Sequence, residues 1–283
     1  MSHSAPAPQP DDAEARRPRD FWHRRRTWAG AAGLAFALLV GLLVHRRFFV
    51  HGDRELLDEL IERRSPVITA WAVAVTEAFS PAGTIVLALA TGLVLWWVRR
   101  SWRVPVYVFG SVALAAGITY LLKFVFERQR PPAIDRLVFE ADYSFPSGHA
   151  TGTAALACAA AVVVCGMLRR PWSMALVWAA ALGLSVLVAA TRLYLGVHWF
   201  TDTAAGFCVG AGTALVLSAL IDPGRAPGRA AKGRAVADRA VPASSSEGGA
   251  PEGTSHEGGA CEGRSHGGGA PEGWPPAGGS RPG

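Results

Sequence analysis

Two basic side chains at the end of a long apolar segment mark the first place where the sequence suggests chemistry. Lys123 and Arg130 are seven residues apart, or two helical turns, so we predict that they share one face of a helix. Two cations on one face form a binding surface for an anion. The same pattern is also typical of basic side chains that extend towards lipid headgroups and bind no particular ligand.

A second segment, 146–149, has the sequence Pro-Ser-Gly-His and comes directly before another apolar segment. A turn that opens a helix presents backbone N–H groups and a hydroxyl to an anion, which the helix dipole also attracts. Gly148 has no Cβ, so a phosphate can approach its backbone, and the imidazole of His149 titrates near neutral pH. The alternative is that Ser147 only caps the helix and that His149 is structural.

In the third segment, His198 and Asp202 are four residues apart, a spacing that predicts one shared face at the start of a helix. A carboxylate in that position accepts a hydrogen bond from one imidazole nitrogen and leaves the other nitrogen free to attack. Arg192 supplies a third cation nearby in sequence. A purely structural histidine–aspartate pair is the alternative for this segment.

The three segments combine three cations, a turn rich in N–H groups, two histidines and an aspartate. Cations neutralise a phosphate and its transition state, one imidazole attacks phosphorus, and the other protonates the leaving oxygen. Together the segments therefore predict a site of phosphoryl transfer, which none of them indicates alone.

The elements that must position these residues are apolar segments long enough to cross a bilayer. They lie at 28–44, 84–98, 105–122, 150–168, 174–190 and 199–221. We therefore predict an all-α, polytopic membrane protein built on a six-helix bundle, which excludes a soluble cytosolic protein and a secreted disulfide-rich domain. Cys158, Cys165 and Cys208 lie inside apolar segments, and no cysteine spacing resembles a zinc site.

The flanking parts of the chain differ from the bundle. Residues 1–26 are predicted to be a disordered leader, 27–222 the membrane domain, and 223–283 a disordered tail rich in Gly, Pro and Ser. Residues 53–64 have the pattern of an amphipathic helix at the membrane surface. Residues 66–79 are apolar but short, and the sequence leaves their depth in the membrane open.

Six spans place both termini on one side of the membrane, and the basic clusters indicate which side. The clusters at 24–26, 99–103 and 169–170 predict that both termini lie in the cytoplasm. The protein would then be in the cell membrane, with its site on the extracytoplasmic face. The net charge of +6 arises from arginines in tails and loops. No nucleic-acid partner is therefore expected.

The three segments resemble, in order, residue type and spacing, the signature motifs of the type 2 phosphatidic acid phosphatase superfamily. The matching residues are Lys123, Arg130 and Pro131, then Pro146 to His149, then Arg192, His198 and Asp202. The likeness covers 123–202 and, with the six spans, extends to 27–221. One departure is Thr191, where the family usually has serine, although threonine keeps the hydroxyl.

The resemblance implies which residues bind the phosphate and which react with it. Phosphate would be bound by the side chains of Lys123, Arg130, Arg192 and Ser147 and by the backbone N–H of Gly148.

The reacting residues follow from the same likeness. His198 would be the nucleophile that forms a phosphohistidine, Asp202 would orient it, and His149 would be the general acid for the leaving group. The family needs no metal or other cofactor, so none is expected here.

The substrate expected from a site at a membrane boundary is a lipid phosphate. Phosphatidic acid, phosphatidylglycerol phosphate and a polyprenyl diphosphate all satisfy the sequence, and the oligomeric state stays open. One alternative is a lipid-phosphate transporter or scaffold without catalysis, but binding alone needs neither His149 nor His198. The motifs also resemble those of the vanadium-dependent haloperoxidases, which are soluble, and six apolar spans argue against that class.

Overall fold

The protein is described by a computed structural model that covers residues 10–223, with side chains from residue 24 onward. Over this range the chain consists of helices and the loops between them. The helices are α1 Pro10–His45, α2 Val50–Glu62, α3 Pro66–Ala78, α4 Pro81–Arg99, α5 Arg103–Phe126, a short 3₁₀ turn Ala133–Asp135, α6 Gly148–Cys165, α7 Pro171–Tyr194 and α8 Phe200–Ile221. The tail predicted at 223–283 lies, apart from residue 223, outside the described residues.

Six of these helices are long and apolar enough to cross a membrane, which confirms the prediction of a six-span, all-α protein. They are α1 from residue 24, then α4, α5, α6, α7 and α8. Their outer faces carry many exposed large apolar side chains, Leu89 and Leu93 of α4 among them. Lipid is the solvent that such a surface requires.

The two short helices lie on the side of the bundle where α1 ends. Helix α2 corresponds to the amphipathic segment predicted at 53–64. Helix α3 covers the segment whose depth the sequence left open. With 13 residues it extends for about 20 Å, which is too short to span the hydrocarbon core.

The first helix begins at Pro10, whereas the sequence analysis expected residues 1–26 to form a disordered leader. Residues 13–17 consist of Ala, Glu and Arg, which are strong helix formers, and they extend the first span backwards from the membrane. The difference from the prediction concerns residues 10–26, and residues 1–9 lie outside the described part of the chain.

Several helices begin where serine or proline favours a helix start. Ser65 and Ser80 accept hydrogen bonds from backbone N–H groups of α3 and α4, and Pro66 and Pro81 occupy the first helical positions. Pro171 opens α7 in the same way. These local signals set the ends of the helices that surround the site.

Helix α6 is the centre of the bundle. Of its most apolar 18-residue window, 78% is buried within the protein, against 17% for the corresponding windows of α4 and α7. It packs against α5, α7 and α8, while α8 also packs along α1. Alternation of the spans brings the ends of α5 and α7 together with the starts of α6 and α8.

The contact between α6 and α8 depends on two glycines of α8 spaced four residues apart. A Cβ at Gly206 would lie 2.7 Å from the carbonyl oxygen of Ser147, and one at Gly210 only 2.2 Å from that of Thr151. Small residues at this spacing let two membrane helices approach with their backbones in contact. The Ser147 N–H also donates to the backbone oxygen of Asp202 at 3.0 Å, so the starts of both helices are joined.

We predict that Gly210→Ala destabilises the protein by about 1–3 kcal/mol, because the added methyl group collides with the backbone of α6. The matched control is Gly117→Ala in α5, where a Cβ would meet nothing within 4 Å. Thermal unfolding in one detergent measures both variants. A Gly210→Ala protein as stable as Gly117→Ala would show that the two helices are not in backbone contact.

Candidate active site

Three cations are buried at the end of the bundle where α5 and α7 finish. Lys123 lies in the last turn of α5, Arg130 in the loop that follows, and Arg192 in the last turn of α7. Their exposed fractions are 7%, 8% and 1%. Because burying a charge without a partner is costly, each cation must be held by nearby anions or carbonyl groups.

The prediction that Lys123 and Arg130 share a helix face is wrong. Helix α5 ends at Phe126, and Glu127 adopts a left-handed backbone conformation with φ of 42° that turns the chain out of the helix. Both cations still reach one carboxylate, that of Asp142. Lys123 Nζ lies 3.1 Å from Asp142 Oδ2, and Arg130 binds Oδ1. The two cations are therefore brought together by the loop after α5 and not by a shared helix face.

Two carboxylates of the loop before α6, Glu140 and Asp142, occupy the positions between the cations. Glu140 binds Arg192, and its other oxygen lies 3.8 Å from Arg130 Nη2. Partial burial opposes ionisation of Asp142, but Lys123 and Arg130 outweigh it and lower the pKa of this carboxyl group. Sequence reasoning missed both acids, because nothing in a short acidic loop indicates that it folds back onto the cations.

Arg192 is held by a helix that the sequence did not connect with the site. Its Nη1 donates to Thr76 Oγ1 of α3 at 2.8 Å. The hydroxyl of Thr191, the residue that departs from the family pattern, donates to the backbone oxygen of Val188 at 2.7 Å. Helix α3 therefore helps to position the site without crossing the membrane.

Two buried polar atoms beside these groups have no hydrogen-bond partner among the described residues: Ser147 Oγ and Arg192 Nε. The sequence left open the alternative that Ser147 only caps α6. Ser147 is the residue before α6, but its side chain forms no capping hydrogen bond. The first N–H groups of α6 have no acceptor within the helix, and a Cβ at Gly148 would meet nothing within 4 Å. All these donors would be satisfied by an anion.

His198 lies before α8 and not within it, so the prediction of a shared helix face with Asp202 is wrong. The chain turns at Gly196, which has φ of 72°, and a Cβ there would lie 2.2 Å from the carbonyl oxygen of Asp135. The carboxylate of Asp202 caps the helix by accepting from the Trp199 N–H at 2.9 Å. His198 Nδ1 is 3.5 Å from Asp202 Oδ2, so the pair forms through this turn.

The contacts of His198 determine which of its ring nitrogens carries the proton. Nε2 lies 3.1 Å from Arg130 Nη1, and a guanidinium can only donate, so Nε2 has the lone pair and Nδ1 the proton. Burial lowers the pKa of His198, and the hydrogen bond that its Nδ1–H donates to Asp202 opposes this only in part. The imidazole is therefore neutral, with its proton facing Asp202 and its lone pair facing the cations.

Asp202 is fully buried and is held by side chains that sequence reasoning missed. Arg128 binds Asp202 Oδ1 and also Asp53 of α2 at 2.6 Å, and Ser144 donates to Asp202 Oδ2. Thr201 Oγ1 completes the group at 2.7 Å from Arg128 Nη1. Asp53 is 75 residues from Arg128, so the only signal in the sequence was an acidic residue near the start of an amphipathic helix.

His149 lies in the first turn of α6 and is buried, with 8% of its surface exposed. Its ring forms no hydrogen bond to any described residue. It lies within electrostatic range of Arg192, His198 and Arg130. The structure thus brings together, at this end of the bundle, all eight residues predicted to form the site. The eight are Lys123, Arg130, Ser147, Gly148, His149, Arg192, His198 and Asp202.

The acidic and imidazole groups of the site are not arranged as a metal centre. In the described range, no three His, Cys, Asp or Glu side chains are grouped so that they could hold a metal ion. Arg128 lies between the carboxylates of Asp53 and Asp202 and binds both.

Comparison with known proteins agrees with this geometry. Residues 104–224 match the PAP2 superfamily, a range that contains the three motif segments. The chain is 27% identical over 181 residues to phosphatidylglycerophosphatase B of Bacillus subtilis, covering 62% of this chain and 86% of that protein. It is 37% identical over 133 residues to decaprenylphosphoryl-5-phosphoribose phosphatase of Mycobacterium tuberculosis, covering 46% and 66%.

A solved structure shares the fold. The transmembrane PAP2 type phosphatidylglycerolphosphate phosphatase from Bacillus subtilis superposes with a TM-score of 0.62 at 23% identity, covering 69% of this chain and 96% of that one. Over residues 104–224, which contain all three motif segments, this chain belongs to the PAP2 superfamily.

Proposed function

We propose that this protein is a membrane phosphatase that hydrolyses a lipid phosphate through a phosphohistidine on His198. The arrangement of His198 carries the proposal: its Nε2 lone pair faces the cations, and its protonated Nδ1 faces the buried Asp202. An imidazole held in this way is a nucleophile directed at the place where an anion binds.

Substrate phosphate takes the place of the loop carboxylates. Lys123, Arg130 and Arg192 neutralise its charge, and Ser147 and the first N–H groups of α6 bind its oxygens. Asp142 is partly exposed, so its carboxylate can move into water while the cations stay buried. A dianionic phosphate competes well for such a site because it offers more charge and more acceptor oxygens than a carboxylate.

The first step transfers the phosphoryl group to the protein. Nε2 of His198 forms a bond to phosphorus as the bond from phosphorus to the lipid oxygen breaks, and His149 gives its proton to that oxygen. Arg130 moves its hydrogen bond from Nε2 to the phosphate. Asp202 stabilises the positive charge that develops on the imidazole of His198.

The second step returns the protein to its starting state. Water attacks phosphorus as the bond to Nε2 breaks, and His149, now neutral, takes a proton from that water. Inorganic phosphate leaves, and His198 keeps its proton on Nδ1. No redox change occurs, and the two steps together consume one water.

Arg128 acts on this chemistry through Asp202 and is a positioning residue. It binds Asp202 and Asp53 together, so it fixes the carboxylate that orients His198 and links it to α2. A buried carboxylate with a bound guanidinium stays ionised, and only the ionised form accepts the Nδ1 proton as required.

The substrate class follows from the position of the site at the ends of four membrane spans. A lipid presents its phosphate at this depth, and candidates are phosphatidic acid, phosphatidylglycerol phosphate and a polyprenyl diphosphate. The names of the relatives from Bacillus subtilis and Mycobacterium tuberculosis, both lipid phosphatases, support this class. A transporter or scaffold that binds lipid phosphate without turnover is the competing function.

The site belongs to the extracytoplasmic face of the cell membrane in this proposal, with both termini in the cytoplasm. The described spans begin near residue 24 and end at Ile221, at the side opposite the site. The basic clusters at 24–26, 99–103 and 169–170 lie on that opposite side and favour the cytoplasm.

We expect His198→Gln to reduce phosphate release by at least about 1,000-fold while the protein still binds lipid phosphate, because only the nucleophile is lost. The assay uses detergent-purified protein in excess EDTA, with phosphatidic acid, phosphatidylglycerol phosphate, polyprenyl diphosphate and a soluble phosphomonoester. His45→Gln, an exposed histidine at the end of α1, is the matched control.

The outcomes of that assay separate the alternatives. Binding without release in the unmodified protein would favour a transporter or scaffold. Complete inhibition by EDTA that Mg²⁺ reverses would contradict a mechanism without metal.

Replacing Arg128 tests its role as a positioning residue. Arg128→Lys should lower kcat by about 10–100-fold with little change in KM, because Asp202 and His198 lose their alignment while the substrate-binding cations remain. Arg54→Gln is the control, since Arg54 lies on the same helix as Asp53 but binds Asp58 of that helix and Asp135 of the 3₁₀ turn. A rise in KM with kcat unchanged would place Arg128 in substrate binding instead.

Removing the carboxylate of Glu140 tests whether it competes with phosphate for the buried cations. We expect Glu140→Gln to lower the inhibition constant of inorganic phosphate by about fivefold or more, because phosphate no longer displaces a charged partner from Arg192. Glu62→Gln, at the exposed end of α2, is the control. Weaker inhibition by phosphate in Glu140→Gln would mean that Glu140 assembles the site and does not compete with the substrate.

A further inference from the structure

A cavity of about 500 Å³ adjoins the phosphate-binding cations, between the end of α5 and the loop that precedes α6. Lys123 and Arg130, two of the cations to which the proposed function assigns substrate phosphate, form one part of its wall. Its wall also includes Tyr120, Phe124, Arg136 and Asp142. The proposed reaction assigns no task to this space.

One side of the cavity is formed by aromatic side chains on the lipid-facing surface of α5. Tyr120 and Phe124 are 66% and 52% exposed, and their rings meet edge to face with centroids 4.8 Å apart. Phe124 also meets Tyr143 of the loop, with centroids 6.2 Å apart. Aromatic side chains near the end of a membrane span are typical of the lipid–water interface, so a lipid can reach the cavity from this side.

The other side of the cavity carries a cation that differs from its neighbours. Lys123, Arg128 and Arg130 are each bound to a carboxylate. Arg136 forms no ion pair with any residue of the described range. Its Nε donates to the backbone oxygen of Pro131 at 2.6 Å, which holds the half-buried side chain in place beside the cavity.

The cavity wall keeps a net positive charge when its ion pairs are taken into account. The wall contains four cations, Lys123, Arg128, Arg130 and Arg136, against the carboxylates of Glu140 and Asp142. Arg128 is neutralised by Asp53 and Asp202 outside the cavity. A fixed guanidinium without an anionic partner, next to a phosphate site, is suited to a second phosphate because its planar N–H groups match two phosphate oxygens.

We propose that Arg136 binds a second phosphate of the substrate lipid, next to the phosphate that His198 attacks. This inference rests on the proposed function and narrows its substrate class to lipids that carry two phosphates near each other. The second phosphate belongs either to a diphosphate or to a phosphodiester that links the lipid to a terminal phosphomonoester. Lipids with a single phosphate bind without this contact.

The test compares specificity between lipids in Arg136→Gln and in the unmodified protein. Values of kcat/KM are measured in one detergent for phosphatidic acid, phosphatidylglycerol phosphate and polyprenyl diphosphate. We expect the ratio of kcat/KM for the lipids with two phosphates to that for phosphatidic acid to fall about tenfold, because one charge-assisted contact is lost. Arg136→Lys, which keeps a charge without the planar geometry, should restore part of the ratio.

A binding measurement makes the inference testable apart from turnover. Calorimetric titration with pyrophosphate and with phosphate should show tighter binding of pyrophosphate to the unmodified protein and a much smaller preference in Arg136→Gln. The matched control is Arg63→Gln, an exposed arginine paired with Glu59 on α2, which should keep both preferences.

Each outcome has a distinct meaning. A fall confined to polyprenyl diphosphate or to phosphatidylglycerol phosphate supports the proposal and identifies which kind of second phosphate is bound. An equal fall for all three lipids, or none, overturns it, since Arg136 then only holds the loop or has no role. A pyrophosphate preference that depends on Arg136, without turnover of any lipid, would refute the proposed phosphatase and keep the second-phosphate site.

Discussion

Charge burial at the end of a membrane bundle is the constraint on which the rest of this site depends. Lys123, Arg130 and Arg192 are almost completely buried, and each must be neutralised locally because desolvated charges are costly. In the structure the loop before α6 supplies the neutralising groups, Glu140 and Asp142. The loop is therefore bound to the same cations that we propose bind substrate phosphate, and in that proposal the order of the loop depends on the occupancy of the site.

Close packing of small residues holds the parts of the site next to each other. Because Gly206 and Gly210 let α8 approach α6 at backbone contact, the turn containing Ser147 lies beside the one that carries His198. The two short helices complete the arrangement from the membrane surface: α2 contributes Asp53 to the support of Asp202, and α3 contributes Thr76 to Arg192. Elements that do not cross the membrane thus set the positions of groups on elements that do.

The site also keeps polar atoms that a structure selected only for stability would pair. Ser147 Oγ and Arg192 Nε are buried without partners in the described part of the chain, and an unpaired buried donor costs free energy. Local departures of this kind are expected where a ligand supplies the missing bonds. The same site therefore contains an Asp202 that is firmly held by its neighbours and donors that have no partner. This combination is expected where a rigidly held nucleophile reacts with an anion that binds and leaves.

The six spans and the residue types of the site follow from the sequence alone, because in lipid every backbone group must bond locally and a long apolar segment can only be a helix. The relative placement of the site residues does not follow from it. Lys123 and Arg130 were expected on one helix, and His198 within α8. However, α5 ends before Arg130 because of the left-handed turn at Glu127, and α8, which Asp202 caps, begins only after His198. The partners of the site come from distant segments, such as Asp53, which binds Arg128 across 75 residues. Local periodicity carries no trace of such contacts, since they form only when separate helices pack and buried charges must find each other.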